Sequence, residues 1–184
     1  MWPEANGRCA KTAGLSRWRF APVDKTETMN VEIQTAQIED AAAILALQKL
    51  AYRSEGELNQ DWSIPPLVQT QDEICAEFRR LTFLKAERAG EIVGSVRAEQ
   101  SGDTCAIGRL MMHPSCQRQG IGGRLMQAIE ARFPAARRYE LFTGEKSAGN
   151  IPFYERLGYR IFRRERLSEK VMLVFMEKIA PARS

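Results

Sequence analysis

The sequence predicts a single mixed α/β domain, an antiparallel meander followed by one crossover of the β–α–β kind. Three observations carry this. Short runs of apolar residues, several strictly alternating, recur between turn-forming residues. Four segments place apolar residues at helical spacing. The chain of 184 residues is long enough to bury one core without metal or disulfide staples.

Val31, Ile33 and Thr35 alternate with polar residues and predict a first strand. Asp40 is placed to cap a helix whose buried stripe is Ile44, Leu45, Leu47 and Leu50. A polar loop closed by Pro65 and Pro66 follows. The spacing of Ile74, Phe78 and Leu81 predicts a second helix from about Thr70 to Arg80. Phe83 to Glu87 and Ile92 to Ala98 predict two strands joined by Ala89-Gly90-Glu91. After the Ser101-Gly102-Asp103 turn, Cys105 to Met112 is apolar enough for a central strand. Ile121, Leu125, Met126 and Ile129 predict a helix ended by Phe133-Pro134. Tyr139 to Thr143 predicts a strand. Asn150 then opens a helix carrying Phe153, Tyr154 and Leu157, with Gly158 as its stop. Tyr159 to Phe162 and Val171 to Met176 predict the last two strands. The sum is one mixed central sheet flanked by about four helices.

The domain is expected over residues 29–180, with a short tail at 181–184. Residues 1–28 carry no strand or helix period and read as a disordered extension, with Met29 as an alternative start to Met1. This segment has five basic and three acidic residues, so it is no basic arm for nucleic acid. A net charge of +4 for the whole chain is equally mild, and no nucleic-acid partner is expected. No apolar run reaches the roughly 18 residues of a membrane helix, and no signal-peptide core is present. Four widely spaced cysteines and one histidine match no zinc pattern, and predict free thiols in a reducing cytoplasm.

The most informative stretch is Leu110-Met-Met-His-Pro-Ser-Cys-Gln-Arg-Gln-Gly-Ile-Gly-Gly-Arg-Leu125, where a strand runs through a glycine loop into a helix. Unpaired N–H groups and the helix dipole make such a junction an anion cradle, and Gly120, Gly122 and Gly123 let an anion approach the backbone. Arg118 and Arg124 add charge. A P-loop would need Lys-Ser/Thr after the last glycine, and a dinucleotide fingerprint a third glycine where Leu125 stands.

Gln117-Arg118-Gln119-Gly120-Ile121-Gly122 resembles the Q/R-x-x-G-x-G/A acyl-CoA loop of the GCN5-related N-acetyltransferase superfamily, and Leu110 to Pro114 resembles its lead-in. Asn150-Ile-Pro-Phe-Tyr-Glu-Arg-Leu-Gly-Tyr159 resembles the superfamily's second signature. The resemblance covers about residues 31–178. The stretch from Glu55 to Thr70 also resembles a bacterial subgroup and names no substrate.

The resemblance implies a mixed sheet whose parallel pair, Cys105 to Met112 and Tyr139 to Thr143, splays to admit acetyl-CoA as co-substrate, with no metal. It implies that a primary amine attacks directly in a ternary complex. Backbone at Met111 and Met112 would pair with the pantetheine arm and polarise the thioester carbonyl. Residues Gln117, Arg118, Gln119, Gly120, Ile121, Gly122, Gly123 and Arg124 would hold the pyrophosphate, with Asn150 helping. Tyr154 would return a proton to the leaving thiolate, a phenol ionising near pH 10. The superfamily often places a Glu on the strand before the loop, and here Ala106-Ile107-Gly108-Arg109 carries none. Ordered water, Glu99, Glu145 or Glu57 are the alternatives for the base.

Packing explains other tempting residues as well. His113 precedes a proline at a strand end, where a side chain facing solvent is expected. Cys116 reads as an inert thiol, and the run Arg160, Arg163, Arg164 and Arg166 fits either a basic substrate patch or alternation in an exposed strand or turn. The missing strand carboxylate motivates one alternative function, a non-catalytic acyl-CoA sensor or interaction module. The acceptor is open between a small-molecule amine and a protein amino group, and the chain between monomer and homodimer.

Overall fold

The computed structural model describes residues 30–181 apart from 148 and 169. The tail expected over residues 1–28, and all but Pro181 of the one expected over 181–184, lie outside the described residues.

Strand β1 (Glu32–Thr35) buries the Val31 before it, but Thr35 is exposed and Ala36 takes the inward position. Helix α1 (Ala41–Ala51) buries Ile44, Leu45 and Leu47, while Leu50, expected on the same stripe, is exposed. Asp40 does not cap α1. A 3-10 turn over Ile38–Asp40 gives Asp40 helical backbone angles, which aim its side chain away from the orphan N–H groups. Its carboxylate accepts instead from the Gln37 N–H (2.8 Å) and pairs with Lys85 Nζ (2.9 Å).

The segment expected as loop holds two short helices, α2 (Arg53–Asn59) and α3 (Pro65–Val68). Prolines suit the first turn of α3, where no N–H is needed. The buried Gln48 amide donates to Pro66 O (2.9 Å) and Gln69 Oε1 (2.8 Å) and fixes α3 beneath α1. Helix α4 (Gln71–Phe78) starts with a capping box. The Glu73 N–H donates to Thr70 Oγ1 at 3.3 Å and the Thr70 N–H donates to Glu73 Oε2 at 2.7 Å.

Strands β2 (Thr82–Arg88) and β3 (Glu91–Ser101) are joined by Ala89 and Gly90, both at positive φ, the hairpin geometry that matches strand twist. Then come β4 (Thr104–Met112), α5 (Ile121–Arg132), β5 (Arg138–Gly144), α6 (Asn150–Arg156), β6 (Arg160–Arg166) and β7 (Met172–Ile179). The α-helices described number six rather than four, the excess being α2 and α3.

All seven strands form one sheet in the order β1-β2-β3-β4-β5-β7-β6, antiparallel except between β4 and β5. Neighbouring residues Phe83 and Leu84 point to opposite faces of β2. Phe83 joins a cluster with Ile44, Leu47 and Ile74 of α1 and α4, and stacks on Phe78 with ring centroids 4.0 Å apart. Leu84 joins Leu125, Met126 and Ile129 of α5, each buried and each contributing about 1.5–3 kcal/mol. The sheet is thus covered on both faces over its middle strands.

The parallel pairing is short. It joins Thr104, Cys105 and Ala106 to Arg138, Tyr139 and Glu140 and then stops. A bulge explains the parting. On β4, Gly108 pairs with Arg97 and Met111 with Ser95, so Val96 alone faces both Arg109 and Leu110. The extra residue bends β4 away. β5 meanwhile stays paired to β7 through Gly144, opposite Leu173. A wedge opens between the two strands beyond Ala106.

Burial pushes the Cys105 thiol up to about 12 and the Tyr159 phenol upward, with the Glu130 carboxylate adding in both cases. The unfolded chain therefore releases these protons first. Stability is fully present below the unfolded thiol's range, near pH 9, and is lost as pH rises towards the folded values. Urea unfolding at about pH 8 and about pH 10.5 is expected to show a lower midpoint at the higher pH. Cys105→Ala is expected to flatten part of that decline.

Candidate active site

At the parted strands lies a cavity of about 370 Å³. Gly108, Arg109 and Leu110 of β4 form one wall and Leu141 to Gly144 of β5 the other. Tyr154 and Asn150 of α6, Tyr52, Glu55 and Asn59 beside and on α2, and Arg97 of β3 add polar groups to its lining. Ile64, Pro65 and Pro66 close it from α3, and Leu167, Val171 and Leu173 from the β6–β7 side.

Tyr154 is held by the end of its helix. The Tyr159 N–H donates to Tyr154 O (3.1 Å) and the Gly158 N–H to Glu155 O (2.9 Å), a Schellman closure that needs the positive φ of Gly158 (+91°). The Tyr154 ring packs edge-on against Tyr159, with centroids 6.0 Å apart. The Tyr159 hydroxyl donates to Glu130 Oε1 of α5 (2.8 Å), and Lys178 Nζ pairs with Oε2 (2.7 Å). Burial raises the pKa of Tyr154, with Tyr52 and Glu55 adding to it, so the phenol stays protonated well beyond neutral pH.

Glu55 is the carboxylate in the cavity that the sequence reading missed. The Ser147 hydroxyl lies 2.6 and 2.7 Å from its two oxygens, and Asn59 Nδ2 donates to Glu55 O at 2.9 Å. The three carboxylates named from sequence lie elsewhere. Glu99 pairs with Arg80, Glu145 lies 3.5 Å from Arg164, and Glu57 is exposed; none of them lines the cavity. Asn150 lines the cavity but does not cap α6. It is the first helical residue, and its Nδ2 donates to Thr143 Oγ1 (2.9 Å). His113 is buried, not facing solvent. Its Nδ1 lies 2.8 Å from Ser115 Oγ, and burial lowers its pKa. It too is outside the cavity lining.

Two guanidiniums flank the cavity. Arg97 pairs with Glu77, and burial lowers its pKa. Arg109 lies 5.6 Å from the Tyr52 ring centroid. Burial raises the Tyr52 pKa against the opposing pull of Arg109.

The glycine turn adjoins this cavity. Gly120 adopts φ +79°, and a Cβ there would meet nothing within 4 Å, so the turn's outer side is open. The first helical bond of α5 runs from the Arg124 N–H to Gly120 O (3.2 Å), which leaves the Ile121, Gly122 and Gly123 N–H groups without helical partners. A Cβ on Gly122 would lie 3.5 Å from Phe153 and 3.9 Å from Leu110, so Leu110 is a wall common to turn and cavity. These open N–H groups and the dipole of a 12-residue helix suit a pyrophosphate. Arg118 is exposed beside them. The Arg124 guanidinium is tied to Val31 O (2.8 Å), and the Gln119 amide donates to Ser115 O (3.0 Å). Met111 is buried against α1 and α4, and Met112 packs on the other face. Among the described residues no three His, Cys, Asp or Glu side chains gather as a metal site, and no helix is long and apolar enough to cross a membrane.

A parallel pair thus parts beside a glycine turn, and the largely apolar cavity at the parting carries a few polar groups. The chain belongs to the acetyltransferase (GNAT) family, whose model matches residues 43–159. It is 30% identical over 120 residues to the UPF0157 protein YqkA of Bacillus subtilis, a match over 65% of this chain. The chain spans about a third of the length of that curated relative (34%). Its fold is similar to the ribosomal-protein-S18-alanine N-acetyltransferase of Escherichia coli, with a TM-score of 0.69 at 17% identity over 83% of this chain and 96% of that one. It is similar also to the PaiA N-acetyltransferase of Thermoplasma acidophilum, crystallised with coenzyme A, with a TM-score of 0.68 at 17% identity over 83% of this chain and all of the other.

Proposed function

We propose that the chain transfers an acetyl group from acetyl-CoA to a primary amine by direct attack within a ternary complex. The observation that carries this is the wedge beyond Ala106, with the Gly120 turn outside it and Tyr154 and Glu55 within. The pyrophosphate lies on the N–H groups of residues 117–124. The pantetheine arm runs along the unpaired edge of β4 near Met111 and Met112, where a backbone N–H polarises the thioester carbonyl. Asn150 helps to hold the arm. Cys105 and Cys116 are free thiols, which fits a cytoplasmic enzyme.

The amine arrives as an ammonium and must lose a proton before it attacks. Glu55 accepts it, held in place by the Ser147 hydroxyl. The nitrogen lone pair then adds to the thioester carbon, the C–S bond breaks as Tyr154 gives its proton to the leaving sulfur, and the surplus proton on the new amide nitrogen returns to the Tyr154 phenolate. The non-catalytic alternative rests on the missing strand carboxylate, and Glu55 supplies a carboxylate to the cavity from α2.

The test is CoA-thiol release from acetyl-CoA across a panel of primary amines. Amine-dependent release is expected. In Glu55→Gln it is expected to fall by about 100-fold or more near pH 7. The deficit is expected to shrink near pH 10, where the amine sheds its own proton. Release without any amine dependence, or unchanged kinetics in Glu55→Gln, would overturn this reading.

A further inference from the structure

Resting on the acetyl-transfer reading, we infer that the acceptor is a small amino carboxylate with an apolar side chain, its carboxylate bound by Arg109 and its ammonium by Glu55. Arg109 stands at the β4 bulge with φ +52°, a left-handed conformation that a side chain of this size rarely adopts. Arg109 lines the cavity, and its guanidinium lies over the ring of Tyr52, another lining residue. The neighbouring Arg97 is neutralised by Glu77. Among the described residues no carboxylate pairs with Arg109, whose partner is Tyr52, through the ring at 5.6 Å and a side-chain hydrogen bond. Its half-buried guanidinium has N–H donors to spare and no carboxylate to balance its charge, so an anionic ligand gains a charge-assisted pair there.

The opposite side of the cavity carries the reverse charge in Glu55, anchored by Ser147. The lining is therefore dipolar, positive at Arg109 of β4 and negative at α2. A zwitterion satisfies both poles in one orientation, with its amine towards Glu55. The remaining wall, Ile64, Pro65, Leu167, Val171 and Leu173, is apolar and suits a hydrocarbon side chain. A polyamine or an aminoglycoside would bring further cations against Arg109. A peptide N-terminus would offer Arg109 only a neutral amide.

The experiment compares kcat/KM for leucine, leucinamide and putrescine in the CoA-release assay with the full chain. Leucine is expected to exceed both by about tenfold or more, the worth of a hydrogen-bonded charge. Arg109→Gly suits the left-handed backbone, and Arg109→Gln keeps the side chain's bulk. Both are expected to collapse the leucine-to-leucinamide ratio by about tenfold, with Arg109→Lys restoring part of it. Preference for leucinamide or putrescine, or a ratio unchanged in the variants, would overturn the inference while leaving the acetyltransferase reading intact. Failure with every amine overturns both. Should the Arg109 variants turn over nothing, titration of leucine into CoA-loaded protein decides, with binding expected in the wild type and lost in Arg109→Gly.

Discussion

Replacing Tyr154 with Phe is expected to lower kcat by about 100-fold or more, with acetyl-CoA affinity within about threefold of wild type. The substitution removes one oxygen. The ring remains packed against Phe153 and Tyr159, at centroid distances of 5.1 and 6.0 Å, so the fold has no reason to shift. The phenol's pKa lies above its ordinary value because burial disfavours the phenolate. A thiol ionises near 8.5, well below it. Once free, a thiolate would not strip the proton from such a phenol. The proton must be offered while the C–S bond is breaking and the sulfur's basicity is still high. This predicts no alkaline fall in kcat from Tyr154 below about pH 10. Single-turnover rates of wild type and Tyr154→Phe across pH check both statements. Equal rates would reduce Tyr154 to a packing residue.

The second large effect concerns the turn. Gly120→Asp is expected to weaken acetyl-CoA binding by at least about 100-fold, while Gly120→Asn costs far less. Asn and Asp both tolerate positive φ, and a Cβ at this position meets nothing within 4 Å, so the pair differs chiefly in charge. A unit charge about 4 Å from one phosphate charge is worth about 4 kcal/mol of repulsion at the effective dielectric of a protein surface. Calorimetric titration of both variants, with their melting temperatures taken first, is the measurement. Equal binding by the two would remove the pyrophosphate from this turn.

Particular residues show what could be read from the sequence. The meander, α5 and the glycine turn were legible because each carries a local signal: alternation, helical spacing, or a positive-φ residue where one is needed. The parallel pair was legible through the family resemblance, but its parting depends on one extra residue in β4, and no spacing in Gly108-Arg109-Leu110 marks a bulge. The segment from Arg53 to Val68 was the least legible. Arg-Ser-Glu-Gly-Glu-Leu-Asn has no apolar period, and α2 exists because Gly56 lets Leu67 and Trp62 close over it. Glu55 and Glu57 could not be told apart without knowing which side of that helix faces Ser147. The Pro65-Pro66 pair was the one available sign of α3. Asp40 and Asn150 fit the composition of a cap, yet each found a stronger partner across the fold, Lys85 and Thr143.

The arginine run of β6 lies on the outermost strand of the sheet, paired on one side with β7. Arg163 lies across the Phe175 ring at 3.9 Å, and Arg160 pairs with Glu177 at 3.0 Å. Six of its seven residues are exposed. A bare strand edge of this length is a template on which a second chain can stack. Any strand arriving there would have to strip water from a row of guanidiniums. What looks in the sequence like a landing pad for an acidic ligand therefore serves as a fence, keeping the sheet finite in a crowded solution.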